Sequence, residues 1–181
     1  MQESKDNTKA VLEAAKDGPL PTGEPLFIDG PIEVYGEPQD IDDAKDVAGV
    51  IDALLAAVPA TGYLAVMAYL DRIADAATAD IRDLLAARMA HPVTFGWGPR
   101  FLHSTGQFHK GGPQVGVFLQ ITGECAADLE IPGQPFTFGR LQMAQALGDL
   151  QALHGRSRPA VRLHLTDRAT GIDALLDAAR A

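Results

Sequence analysis

The stretch Gly98–Gly123, GPRFLHSTGQFHKGGPQVGVFLQITG, holds the side chains best suited to chemistry: Arg100, His103, Ser104, Thr105, Gln107, His109 and Lys110 lie within it without a single carboxylate. The whole chain is acidic, with a net charge of −9, so a segment that gathers cations, imidazoles and hydroxyls marks a place where an electron-rich group is held. Arg100 and Lys110 are suited to an anion, and His103 and His109 to sugar or carbonyl oxygens. Ser104 and Thr105 suit ligand binding or the capping of a turn. The competing reading is that Gly111, Gly112 and Pro113 simply turn the chain and the histidines satisfy backbone groups; the convergence of one kind of side chain favours a site. His103 and His109 are six apart with no acidic ligand beside them, so no metal is expected. A P-loop, a dinucleotide fingerprint, HExxH and GxSxG are all missing from the sequence.

The elements that must position this loop alternate. LFIDGPIEVYG predicts a bulged strand or two short strands at a sheet edge, since Pro31 lacks a ladder donor. Apolar positions from Ile41 to Val58 recur at helical spacing and predict a helix from Asp40, with Asp40, Asp42 and Asp43 at its N-terminus. YLAVMAYL reads as a central strand covered on both faces. Thr78–Met89 reads as a helix capped by Thr78, and VTFGW as a strand. Beyond the loop come the strand VGVFLQIT and a long helix from Thr137 to His154 that buries Leu141, Ala144, Leu147, Leu150 and Leu153. The stretch at 161–165 alternates apolar residues with Arg162 and His164, which predicts a half-exposed edge strand with His164 toward solvent. A last helix is expected from Thr170 or Gly171. This order predicts one layered α/β domain over 25–181, helix–sheet–helix, with a mostly parallel sheet of about five strands. The polar stretch 1–24 reads as a loosely attached extension.

With 181 residues, 46% of them apolar, the chain can bury a core without metal or disulfide. A pI near 4.9 disfavours nucleic acid and anionic membranes as partners. The single Cys125 has no basic neighbour in sequence and reads as structural or incidental. No signal peptide or spanning segment is expected, which makes the cytoplasm the default location.

The run FGWGPRFLHSTGQFHKGGPQVGVFLQIT, with FTFGRLQMAQALGDLQAL after it and YLAVMAYL before it, resembles the C-terminal part of the glucose-6-phosphate isomerase half of bacterial bifunctional transaldolase/glucose-6-phosphate isomerases, over roughly Thr61–Thr166. The resemblance implies a sugar-isomerase (SIS) related fold and a role in glycolysis and gluconeogenesis. The reaction it implies interconverts glucose 6-phosphate and fructose 6-phosphate through an enediol, without cofactor or metal. It marks Lys110 as the active-site lysine, with Gln107 and His109 beside it. In that family an upstream domain supplies the serine/threonine phosphate loop and the glutamate base, so this chain is expected to be incomplete alone and to need that domain or self-association into a homo-oligomer. The alternative is a noncatalytic sugar-phosphate-binding or regulatory domain of the same fold.

Overall fold

Seven consecutive apolar or aromatic residues, Tyr63–Tyr69, form a strand buried along almost its whole length, and the other elements are arranged about it. The computed structural model describes residues 2–16, 18–100, 104–125 and 127–181. Its helices are α1 (Gln2–Ala15), α2 (Val47–Ala56), α3 (Ile81–Arg88), α4 (Thr105–Gly111), α5 (Phe138–His154) and α6 (Arg168–Arg180). Its strands are β1 (Phe27–Asp29), β2 (Ile32–Gly36), β3 (Tyr63–Tyr69), β4 (Val93–Trp97), β5 (Gly116–Gly123) and β6 (Ala160–Leu165).

The sheet runs β1-β2-β6-β5-β3-β4. Strands β4, β3, β5 and β6 are parallel, and the β1–β2 hairpin adds two antiparallel strands beyond β6. The hairpin turns through Gly30 and Pro31, and Gly30 takes a φ of 54°, a left-handed conformation that a side chain would resist. After β3 the chain places β4 on one side and β5 on the other, so the topological switch point lies between the carboxyl ends of β3 and β5.

The two faces of this sheet differ chemically. One carries Ile32, Val34, Leu64, Val66, Val117, Leu119, Val161 and Leu163, packed against Val50, Ile51 and Leu54 of α2, Ile81 and Leu85 of α3, and Leu175 and Leu176 of α6. The other carries polar groups in register. Glu33, His164, Thr122 and Tyr69 follow one another across β2, β6, β5 and β3, and Tyr35, Arg162 and Gln120 form the next row. Helix α5 packs over part of this polar face through Ala146, Leu150 and Leu153.

Several sequence expectations are corrected. Strand β6 is internal, with all six residues buried, because its polar side chains have partners within the fold. His164 therefore faces Thr122 rather than solvent, at 2.9 Å. Helix α2 starts at Val47, capped by Asp46 through Gly49 N–H at 2.8 Å, and Asp42 and Asp43 lie in a preceding turn at positive φ. Thr78 is buried within a 3-10 turn, Ala76–Asp80, and caps nothing. Helix α6 starts at Arg168, with Asp167 accepting from Thr170 N–H. The leading segment is not loose: Val11 is 3% exposed against Ala144 and Leu147, and Asn7 donates to the Gly148 carbonyl at 3.2 Å.

Candidate functional site

The glycine-rich loop contains a helix. Residues Thr105–Gly111 make two turns of α4, and its C-terminal end is pinned by Arg158, which donates to the carbonyls of Lys110 (3.1 Å), Gly112 (2.6 Å) and Pro113 (2.9 Å). A buried guanidinium on the last carbonyls of a helix satisfies acceptors that have no intrahelical donor. The helix turns Lys110 inward, where its ammonium meets the Asp149 carboxylate of α5. The Tyr69 hydroxyl, from the end of β3, lies on the same carboxylate. Burial pushes the Asp149 carboxyl above its ordinary range, while Lys110 and the tyrosine hydroxyl pull it back. The lysine predicted to present its charge to a ligand is thus 5% exposed and already paired.

His109 is buried beside it. The Tyr63 hydroxyl lies 2.8 Å from Nδ1, and the imidazole stacks on the Tyr63 ring with 5.5 Å between centroids. Burial, reinforced by the positive charges of Lys110 and Arg158, lowers its pKa to about 4, so the ring is neutral near pH 7. The remaining predicted residues are not drawn into this cluster. Arg100, Ser104 and Thr105 are exposed, Gln107 is partly buried, and His103 lies outside the described residues.

A second feature lies where the fold itself favours ligands. A cleft of about 1140 Å³ opens past the carboxyl ends of the parallel strands, bounded by Leu70 and Asp71 after β3, Glu124 and Cys125 after β5, and Arg168 at the start of α6. Pro99, from the chain that leads into α4, also lines it. Asp71 uses one carboxylate oxygen to accept from Ile73 and Ala74 N–H, and Arg168 pairs with Asp75 at 2.9 Å. Arg168 also reaches the Cys125 sulfur at 3.6 Å, yet burial pushes the thiol pKa up. Asp128 accepts from the Leu129 and Gly139 amides and the Thr137 hydroxyl, pinning the loop from which Leu129 and Phe138 project into solvent.

On the cleft wall, Glu124 Oε1 lies 3.3 Å from His164 Nε2, while Thr122 Oγ1 lies 2.9 Å from Nδ1. The imidazole is buried and its pKa is lowered mainly by that burial. In the tautomer with Nε2 protonated, it donates to the exposed carboxylate and accepts from the threonine hydroxyl. A carboxylate oriented in this way can accept a proton from a bound substrate. Neither Glu124 nor Asp149 was singled out by sequence. For Glu124 a signal existed, since it directly follows a strand at the switch point; for Asp149, inside a helix that reads as amphipathic, there was none.

No family model matches this chain, and no curated protein does. Among solved structures it is similar to a hypothetical protein from Thermus thermophilus, with a TM-score of 0.64 and 18% sequence identity. The match covers 74% of this chain and 37% of that one. What the two share is an α/β fold. The chain thus spans little more than a third of the structure that it matches.

Proposed function

We propose that this chain is a glucose-6-phosphate isomerase-like domain of SIS-related fold, and that it forms one wall of a sugar-phosphate site whose phosphate-binding side belongs to another polypeptide segment. The observation that carries this reading is the charge of the switch-point cleft. Among the described residues it is lined by six carboxylates, Asp71, Asp75, Glu124, Asp128, Asp167 and Asp173, and by the single cation Arg168, itself paired with Asp75. Such a wall repels a phosphate dianion but suits a polyhydroxylated sugar, whose hydroxyls donate to carboxylates. The phosphate must then be gripped from outside, as the resemblance to enzymes with an upstream serine/threonine phosphate loop implies. The same charge argues against the alternative of a self-sufficient sugar-phosphate binder. Within this reading Lys110 fixes α4, and with it Ser104, Thr105 and Gln107, through its pair with Asp149 of α5.

The test is a fusion of this chain to the isomerase half of a bifunctional transaldolase/glucose-6-phosphate isomerase from which the corresponding C-terminal part has been removed. Isomerase turnover restored in the fusion and missing in both separate parts supports the proposal. Saturable binding of glucose 6-phosphate to the isolated chain, with no turnover in the fusion, favours the noncatalytic reading instead.

A further inference from the structure

Arg162 is a cation in the interior of the sheet that makes no direct ion pair among the described residues, although the Glu33 charge and the Tyr35 hydroxyl near it favour its charged form. It is 1% exposed, midway along β6. Its guanidinium carbon lies 3.7 Å above the Tyr35 ring, and the nearby Glu33 carboxylate accepts instead from the Tyr35 hydroxyl at 2.6 Å. Burying a guanidinium without a direct ion pair is costly, and the opposite face of the same sheet shows that these strands accept apolar residues.

The hydrogen-bond geometry suggests what the arginine is for. The Nε–H and Nη2–H groups of a guanidinium point along one edge and form a fork that two oxygens of an oxyanion fill together. In Arg162 this fork is half filled. Nη2 donates to the Thr22 carbonyl at 3.0 Å, while Nε is buried without a partner. Gln120, paired with Arg162 in the β5–β6 register, donates its amide to the Ala146 carbonyl and leaves its own Oε1 buried and unpartnered. One orphan donor, Arg162 Nε, and one orphan acceptor, Gln120 Oε1, therefore belong to register partners on the same sheet face. A monoprotonated phosphate meets both needs, since it offers two oxygens to the fork and one hydroxyl to the amide oxygen.

The cover over this position is removable in construction. The carbonyl that Nη2 reaches belongs to the leader between α1 and β1, where the chain runs through Gly18, Pro19, Pro21 and Gly23. That leader is tied down by Arg140 of α5, which donates to the carbonyls of Lys16 (2.9 Å) and Gly18 (2.6 Å). We propose that Arg162, with Tyr35 beneath it and Gln120 beside it, is a phosphate-binding site that the leader closes, the Thr22 carbonyl standing where a phosphate oxygen binds. The site lies on the sheet face, apart from the switch-point cleft, and does not depend on the isomerase reading.

Calorimetric titration of the full chain with inorganic phosphate, and with succinate as a carboxylate control, tests the site together with tryptic cleavage after Lys16. Phosphate is expected to bind, to speed that cleavage, and to bind more tightly than succinate. Arg140→Ala, which releases the leader, should bind phosphate about tenfold more tightly than the unaltered chain. Arg162→Lys keeps the charge but removes the fork and should lose at least about tenfold. The proposal is overturned if phosphate neither binds nor speeds cleavage in the unaltered chain. Equal phosphate affinity in Arg162→Lys, or a leader freed in Arg140→Ala without a gain in affinity, overturns it as well. Succinate binding as tightly as phosphate would overturn the choice of a phosphate over a carboxylate.

Discussion

Lys110 and Asp149, 39 residues apart in the chain, close on one another between α4 and α5, with side chains only 6% and 2% exposed. Removing one member leaves the other buried without its counter-charge. Lys110→Ala and Asp149→Ala are each expected to lower stability by about 3–5 kcal/mol in urea unfolding. The double variant Lys110→Met/Asp149→Leu should cost clearly less than the sum, because no charge remains to be stranded. A solvated loop lysine would give a loss within about 0.5 kcal/mol on Lys110→Ala, and that result would refute the pairing.

His109 makes stability depend on pH. Its folded pKa of about 4 lies below the ordinary 6.5, so across that window the unfolded chain binds more protons than the folded one. Its contribution is therefore complete above about pH 6.5 and is lost as pH falls toward about 4, with a total on the order of 3 kcal/mol. His164 is lowered too and acts in the same sense, whereas the raised Asp149 carboxyl acts oppositely. The difference between the chain and its variant isolates the effect: thermal melts of His109→Gln should lose less stability than the parent between those pH values. Parallel pH profiles would show that His109 titrates normally.

Helix α1 belongs to the packed fold. A Cβ built on Gly148 of α5 would stand 3.1 Å from the Thr8 nitrogen and 3.2 Å from the Asn7 Cβ, so the two helices touch backbone to backbone. Gly148→Leu is expected to lift α1 away, seen as faster tryptic cleavage after Lys9 and Lys16. Val11→Ala should cost roughly 1–2 kcal/mol through the cavity left against Ala144 and Leu147. Indifference of cleavage and stability to both changes would restore the loosely attached extension.

These relationships mark where the sequence was legible. Alternation of strand and helix patterns disclosed the α/β layering, and the run YLAVMAYL disclosed the central strand, because burial on both faces leaves no polar positions. Strand β6 was misplaced by the same logic. Its Arg162 and His164 look solvent-facing by period alone, and the aromatic face of Tyr35, the Thr22 carbonyl, the Thr122 hydroxyl and the Glu124 carboxylate, all distant in sequence, allow them inside. The short α4 was hidden because two of its seven residues are glycine, which disfavours helix. The ion pair that turns Lys110 inward needed a partner in α5 that no local pattern marks.

The charge of the switch-point cleft yields the last prediction. Glu124 and Asp173 are exposed there, and neither caps a helix or turn in the way Asp71, Asp128 and Asp167 do. Neutralising both as Glu124→Gln/Asp173→Asn should therefore leave the fold intact while weakening the field that repels a dianion. At ionic strengths near 0.01 M, where the Debye length is about 30 Å, binding of glucose 6-phosphate should be undetectable or weakest in the unaltered chain and gain about tenfold or more in the double variant. At about 1 M salt, where that length is about 3 Å, the two should converge. Uncharged glucose, which loses two carboxylate acceptors and feels no repulsion, should gain nothing in the double variant at either salt concentration. Glucose 6-phosphate bound equally by both proteins at low salt would mean that the phosphate does not feel this wall, and the division of labour between this chain and an outside phosphate loop would then lose its physical basis.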